Sequence, residues 1–81
     1  NLADNYVITE IKAPKSIIGQ TLQEVQLRES YNINLVTIKN EVQELKGKEM
    51  ITRQHIKGVP HRDTIVEEND SLVIFGSNKA I

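Results

Sequence analysis

The fold is decided by a polar turn that leads into a short apolar run, Glu67-Glu68-Asn69-Asp70-Ser71-Leu72-Val73-Ile74-Phe75-Gly76. Asn69 lies where the chain is expected to reverse, because asparagine tolerates a positive φ better than most residues other than glycine. Residues 72–75 are too few for a helix and are rich in residues that favour strands. The pattern predicts a turn at Asn69 and a strand over residues 72–75 that stops at Gly76.

A second stretch, Ser16-Ile17-Ile18-Gly19-Gln20-Thr21-Leu22, places a glycine just before the start of a helix. Thr21 is a candidate N-cap, and Glu24 three residues later completes the sequence pattern of a capping box. Leu22 and Val25 then lie three residues apart, on one side of the helix. The sequence predicts a short helix that begins after Thr21 and ends at Tyr31-Asn32.

Other segments have the composition of extended chain. Residues 6–11 are rich in side chains that favour strands and form the first predicted strand. Residues 33–39 form the second predicted strand, residues 49–55 the third, and residues 64–66 a short extended piece. The charged segment 41–48 is either a turn or the start of a long hairpin.

Successive side chains of a strand project to opposite faces of the sheet. In the second predicted strand, one face therefore carries Leu35 and Thr37, and the other carries Asn34, Val36 and Ile38. Together the segments predict an α+β fold, a small sheet with one or two short helices in the order β-α-β-β-β.

The length of 81 residues corresponds to a single domain, residues 1–81. A chain of this size buries only about 60–65% of the surface that it exposes when unfolded, so a monomer is marginally stable. The chain contains no cysteine and no tryptophan, and only one phenylalanine. We therefore expect a second copy to supply part of the stability. Because the chain begins at Asn1, we also expect it to be the C-terminal part of a longer protein.

The charge pattern excludes several classes of partner. The net charge is −1, and basic and acidic residues are interspersed. Without a basic stripe or stacking aromatic residues, we expect no nucleic-acid binding. The sequence contains no apolar stretch near the roughly 18 residues that span a membrane. The cysteine-free composition fits the cytoplasm.

The residue types that usually carry catalysis are present without the spacing that catalysis needs. His55 and His61 are six residues apart and lack the spacing of a zinc site. No glycine-rich phosphate loop is present, and no serine lies in a nucleophile elbow. Glu67, Glu68 and Asp70 are expected to form a solvated turn. We therefore predict no metal site and no enzyme activity.

Arg28 is the most informative polar residue, because its planar guanidinium is suited to binding phosphate. Asn34 follows in the second predicted strand, and an amide both donates to and accepts from a base edge. Val59-Pro60-His61 offers a rigid apolar shelf beside an imidazole. These residues are able to hold a nucleotide at the edge of an interface. Ordinary surface hydrogen bonding by Arg28 and Asn34 is the alternative.

Three segments follow one another along the chain in a recognisable order. They are Gly19-Gln20-Thr21-Leu22, then Leu27-Arg28-Glu29-Ser30-Tyr31-Asn32-Ile33-Asn34-Leu35, then residues 67–76. Their order and spacing resemble the RCK_C (TrkA-C) domain family, whose patterns are G-x-T-L, L-R-x-x-Y-x-I-x-[IVL] and E-x-G-D-x-L-x-[IV]-x-G. Asn69 replaces the family's usual glycine, a mild change because asparagine also enters the left-handed region. Residues 41–62 form a longer segment than is common in the family.

The resemblance implies a dimeric regulatory domain of potassium or other cation transport. Such domains usually follow a nucleotide-binding Rossmann-like domain in gating subunits, or form the tails of transporters. The implied partners are a second copy of the chain and a membrane transporter or channel subunit. The implied location is the cytoplasm, free or tethered at the inner face of the membrane.

The resemblance also implies a ligand, cyclic di-AMP, bound at the homodimer interface. The positions that match the family's ligand site are Arg28, Asn34, Pro60 and His61, with Leu35 and Val59 as apolar neighbours of the adenine rings. No other cofactor is implied. The alternative is a structural dimerisation domain of a transporter or a transcription regulator that binds no small molecule.

Overall fold

A four-stranded antiparallel sheet with two short helices forms the fold, as seen in a computed structural model that describes residues 3–81. Residues 1 and 2 of the predicted domain lie outside the described residues. The strands lie in the order β1-β4-β2-β3. The elements are β1 Tyr6–Lys12, α1 Leu22–Val25, α2 Leu27–Tyr31, β2 Asn34–Lys46, β3 Glu49–Ile56 and β4 Asp70–Ser77. The predicted α+β fold and its element order are confirmed.

The central strand β4 carries the core. Its side chains alternate between buried and half-buried, and Leu72 and Ile74 are almost fully buried. Asn69 has the expected positive φ of 71°. The prediction that the strand stops at Gly76 is wrong, because β4 continues to Ser77. Gly76 is instead a point of close packing, where a Cβ atom would lie 3.3 Å from Ile33 Cγ1.

The predicted capping box is present at the start of α1. The Glu24 N–H donates to Thr21 Oγ1 at 3.2 Å, and the Thr21 N–H donates to Glu24 Oε1 at 2.9 Å. The Glu24 carboxylate accepts from the Thr21 N–H and also from the Thr21 hydroxyl, and these two hydrogen bonds lower the pKa of Glu24. Gln26 then adopts a left-handed conformation with φ 56° and ψ 52°, which divides the predicted helix into α1 and α2. Asn32, also left-handed, ends α2 after Tyr31 as predicted.

A β-bulge in β2 changes which side chains face the core. The pairing register shifts between Leu35 and Thr37, so Leu35 lies opposite Ile74 while Thr37 lies opposite Val73. Ile38 is fully buried on the same face as Leu35. The predicted faces are therefore wrong for Thr37 and Ile38, because a bulge adds one residue and reverses the alternation beyond it.

The segment 41–48, which the sequence left open as either a turn or the start of a long hairpin, belongs to a long hairpin. β2 continues to Lys46 and pairs with β3 across a two-residue loop. Gly47 occupies the first loop position with φ 65°, where a type II′ turn requires glycine. β4 pairs with β2 only as far as Asn40. Residues 41–54, called the ribbon below, therefore form a two-stranded extension of the sheet.

Asp70 was predicted to be solvated, yet it is fully buried. Its Oδ2 atom accepts hydrogen bonds from Lys57 Nζ at 2.7 Å and from the Glu67 N–H at 2.8 Å. Lys57 Nζ also donates to Glu67 Oε1 at 2.6 Å. The solvated turn is therefore wrong for Asp70, where a lysine and a backbone amide replace water. Glu67 and Glu68 are exposed, as predicted.

This ion-pair cluster predicts a loss of stability at high pH. Burial acts to lower the pKa of Lys57, but the hydrogen bonds that Lys57 donates to Asp70 and Glu67, together with the negative charges of these carboxylates, outweigh it and raise the pKa above 10.5. Because the pKa of Lys57 is higher in the folded chain than in the unfolded chain, the protonated lysine stabilises the fold. This stabilisation is fully present below the unfolded pKa and is lost as the pH rises through the folded pKa. We expect the urea midpoint, followed by circular dichroism, to fall as the pH rises above about 10.5, the ordinary pKa of lysine.

Lys57→Arg is the matched control for the pH experiment, because arginine stays charged over this range. Its urea midpoint is expected to fall less than that of the wild-type chain. An equal fall in both proteins would show that the loss of stability does not come from Lys57.

Candidate functional site

An open cleft of about 660 Å³ lies between the two helices, the start of β2 and the loop after β3. Five of the six predicted site residues line this cleft: Arg28, Asn34, Leu35, Pro60 and His61. The sixth, Val59, is not among its lining residues and is 88% exposed. The structure therefore brings together residues that lie more than thirty positions apart in the sequence.

Arg28 and Asn34 contact each other directly. Arg28 Nε and Nη2 donate to Asn34 Oδ1 at 3.1 and 2.9 Å. Both side chains are exposed to solvent. Because the guanidinium has five N–H donors, this contact leaves further donors for another partner, as does the amide nitrogen of Asn34. The pair presents fixed positive charge at the mouth of the cleft.

The loop after β3 is held against α1 by the helix's own backbone. The first N–H groups of a helix lack partners within the helix. Here the Leu22 N–H donates to the Thr64 carbonyl at 2.9 Å, and the Gln23 N–H donates to the Arg62 carbonyl at 3.1 Å. The Thr64 N–H also donates to the His61 carbonyl at 2.9 Å, and the His61 N–H donates to Thr64 Oγ1 at 3.1 Å. These bonds fix His61 beside the helix that leads to Arg28.

The position of Val59 follows from the path of the chain before that loop. Thr37 Oγ1 donates to the Gly58 carbonyl at 2.8 Å, and the Lys57 N–H donates to the Ile38 carbonyl at 2.8 Å. The chain thus stays on β2 through Gly58 and turns there with φ 91°. Val59 projects outward at this turn, available to a partner molecule and not to the cleft of its own chain.

Arg62 also lines the cleft, although it is not among the site residues predicted from the sequence. With Arg28 it gives the cleft two arginines, against the single carboxylate of Glu29. Its position directly after Pro60-His61 was the available signal. Apolar walls come from the helices and from the start of β2, namely Leu22, Leu27, Ile33 and Leu35. A positive rim beside apolar walls suits an anionic ligand that carries flat, weakly polar rings.

The described residues contain neither a cluster of metal ligands nor a helix that could span a membrane. Over residues 3–81, no group of three or more histidine, cysteine, aspartate or glutamate side chains is arranged to hold a metal ion. In the same range, no helix is long and apolar enough to cross a membrane.

Comparison with protein families gives a direct match, because the sequence profile of the TrkA-C domain matches residues 6–81. The chain belongs to the TrkA-C domain family. The predicted family is therefore confirmed. Among curated proteins, this TrkA-C domain is 30% identical over 76 residues to the Ktr system potassium uptake protein C of Bacillus subtilis (strain 168). The alignment covers 94% of this chain but only 29% of that protein.

Solved structures agree with the family assignment. The TrkA-C domain is 29% identical to the RCK C domain of the potassium transport protein KtrA, solved in complex with cyclic di-AMP, with a TM-score of 0.65. That match covers 96% of this chain and 78% of the other. The GsuK RCK domain is 21% identical over 95% of this chain and 15% of its own, with a TM-score of 0.66, and supports the fold alone.

Proposed function

We propose that this TrkA-C domain is a regulatory domain of a potassium or other cation transport system in the cytoplasm. In this proposal it binds cyclic di-AMP in the Arg28 cleft, at an interface between two copies, and acts by binding without catalysis. The observation that carries the proposal is the convergence of Arg28, Asn34, Pro60 and His61 in one cleft. The similarity to a KtrA domain solved with cyclic di-AMP supports the choice of ligand.

The chemistry of the cleft fits half of a cyclic dinucleotide. Arg28 is placed to pair with a phosphate, since its guanidinium presents parallel N–H groups to phosphate oxygens. Asn34 and His61 offer hydrogen bonds to a second phosphate oxygen or a base edge. Leu35 and Pro60, both half-buried in the cleft wall, offer an apolar surface to an adenine ring.

The open shape of the cleft supports a site shared between two copies. Cyclic di-AMP has two phosphates and two adenines related by a two-fold axis, so two identical clefts facing each other match its symmetry. Val59 fits the same arrangement, because its exposed side chain would contact the ligand or the other copy at this interface.

Regulation then follows from differential binding. A ligand that bridges two copies shifts the population towards the arrangement that it binds more tightly. To reverse a ratio of about 1:99, it must bind the favoured arrangement about 10⁴-fold more tightly. In this proposal the bridging contacts are the source of that difference, because only one arrangement of the two copies brings both clefts onto the same ligand.

The direct contact between Arg28 and Asn34 favours a second candidate function. A domain that serves only for dimerisation would use these residues for local hydrogen bonds, and such a bond is present. The two functions differ in one measurement, because only the regulatory domain binds cyclic di-AMP.

Arg28→Ala is expected to weaken cyclic di-AMP binding at least about tenfold, because charge-assisted hydrogen bonds contribute about 1.5–3 kcal/mol each. Isothermal titration calorimetry of the 81-residue chain measures this directly. Arg28→Lys keeps the charge but loses the paired donors, so we expect an intermediate affinity.

Arg53→Ala is the matched control, since it removes the same side chain from the ribbon, outside the cleft. Its affinity is expected to equal that of the wild-type chain. A wild-type chain that gives no binding heat supports the dimerisation domain. Unchanged affinity in Arg28→Ala would remove Arg28 from the site.

A further inference from the structure

Gln26 has a backbone conformation that its residue type rarely adopts. Its φ is 56° and its ψ is 52°, in the left-handed region. Among residues 3–81, the residues other than glycine with a positive φ are Asp4, Asn5, Gln26, Asn32 and Asn69. Aspartate and asparagine tolerate this region, because their short polar side chains form local hydrogen bonds. Gln26 is therefore the one described residue whose left-handed conformation is not explained by its residue type.

The local structure requires the backbone of Gln26 but not its side chain. The Gln26 N–H donates to the Leu22 carbonyl at 3.2 Å, and the Gln26 carbonyl accepts from the Ser30 N–H at 2.8 Å. These bonds join the two helices, and every residue except proline supplies both backbone groups. The side chain makes no capping hydrogen bond to α2. A glycine would therefore make the same bonds without the steric cost of a Cβ atom.

The Gln26 side chain has a place in the cleft. Gln26 lines it together with Gln23 and Asn34, which carry the other two amides. Asn34 Oδ1 already accepts two hydrogen bonds from Arg28, so this amide offers a ligand mainly donors. The exposed amide of Gln26 offers both a donor and an acceptor. Strain kept at a binding site indicates a functional role, and it singles out Gln26 over Gln23, whose backbone is helical.

We propose that Gln26 reads the edge of the adenine ring and thereby selects adenine over guanine. The inference rests on the proposed function and names a residue that decides its ligand specificity. A glutamine amide pairs with adenine through two hydrogen bonds, donating to N7 and accepting from the N6 amino group. Guanine presents two acceptors at that edge, N7 and O6, so the amide oxygen would face another oxygen. The strained backbone serves to direct the amide towards the base.

Gln26→Gly separates a binding role from a structural one, because the two roles predict opposite changes. Glycine relieves the strain, so we expect the urea midpoint to rise by about 0.5 M. Loss of the amide is expected to weaken cyclic di-AMP binding about tenfold in isothermal titration calorimetry, and to leave the weaker binding of cyclic di-GMP unchanged. The variant is then more stable but less selective than the wild-type chain.

Two further variants complete the experiment. Gln26→Glu keeps the length and the backbone strain but lacks the N–H donors. Its urea midpoint is expected to equal that of the wild-type chain, while its affinity for cyclic di-AMP falls. Asn32→Gly is the matched control, since Asn32 is also left-handed, with φ 56°, but does not line the cleft. Its affinities for both dinucleotides are expected to match the wild-type chain.

The outcomes distinguish a failure of this inference from a failure of the proposed function. The inference alone is overturned if the urea midpoint of Gln26→Gly does not rise, or if that variant keeps its affinity for cyclic di-AMP. An equal fall in affinity for both dinucleotides also overturns it, because the amide would then not read the base. A wild-type chain that binds neither dinucleotide overturns the proposed function, and the inference with it.

Discussion

Asp70→Ala is expected to lower the free energy of unfolding by about 3–5 kcal/mol, the usual cost of removing one partner of a buried ion pair. The carboxylate is fully buried and accepts from both Lys57 Nζ and the Glu67 N–H. Alanine leaves a half-buried ammonium facing only Glu67, and an amide without its acceptor. A chain of this length has a total stability of about 4–12 kcal/mol, so this one change removes a large part of it.

Urea unfolding followed by far-ultraviolet circular dichroism measures the loss, since the chain has no tryptophan for fluorescence. Glu68→Ala is the matched control, an exposed carboxylate in the same turn. We expect it to stay within about 0.5 kcal/mol of the wild-type chain. If Asp70→Ala does not fold, Asp70→Asn keeps the shape and removes only the charge. Equal stability of Asp70→Asn and the wild-type chain would contradict the importance of the ion pair.

Leu72→Ala is expected to cost about 2–5 kcal/mol, the range for truncating a buried leucine. Leu72 is 1% exposed at the centre of the sheet, opposite Ile11 of β1 and Ile38 of β2. Its removal leaves a cavity on the buried face of the sheet, within the cluster that Leu72 forms with Ile38, Val66 and Ile74. The paired strands cannot shift to fill that cavity without breaking their hydrogen bonds. The midpoint of the same urea titration gives the loss.

Val73→Ala is the control for this cavity. Val73 is the next residue of β4 but projects to the opposite, half-buried face. Its truncation removes less contact and leaves no enclosed space, so we expect a loss of about 1 kcal/mol. Similar losses at both positions would mean that the second face of the sheet is as well packed as the first.

Much of the fold could be predicted because its signals are local. The capping box at Thr21 and Glu24 and the positive φ of Asn69 depend on a few neighbouring residues. The face of β2 and the end of β4 depend on other strands, and there the predictions were wrong. A bulge beyond Leu35 and the close approach of Ile33 to Gly76 are fixed by packing between strands, which alternation along one strand does not reveal.

The candidate site could be predicted in part for the same reason. Arg28 and Asn34 are close in sequence, and their contact follows from one helix end and one strand start. His61 and Arg62 reach the cleft only because backbone amides of α1 bind the loop after β3. That contact depends on tertiary structure, so the sequence offered His61 as a candidate by residue type without showing how it reaches the cleft, and Arg62 was missed. The buried ion pair of Asp70 likewise required Lys57, which is distant in sequence.

β2 is long enough that a small rotation at one of its ends displaces the other end by several ångström. One continuous strand carries Asn34 in the cleft at one end and Leu45 near the tip of the ribbon at the other. These two residues are about 36 Å apart along the strand, so a tilt of about 5° at the cleft moves the tip by about 3 Å. A displacement of that size is comparable to a strand's rise per residue. In a strand that moves as one body, a small tilt at the cleft end therefore becomes a larger displacement at the tip of the ribbon.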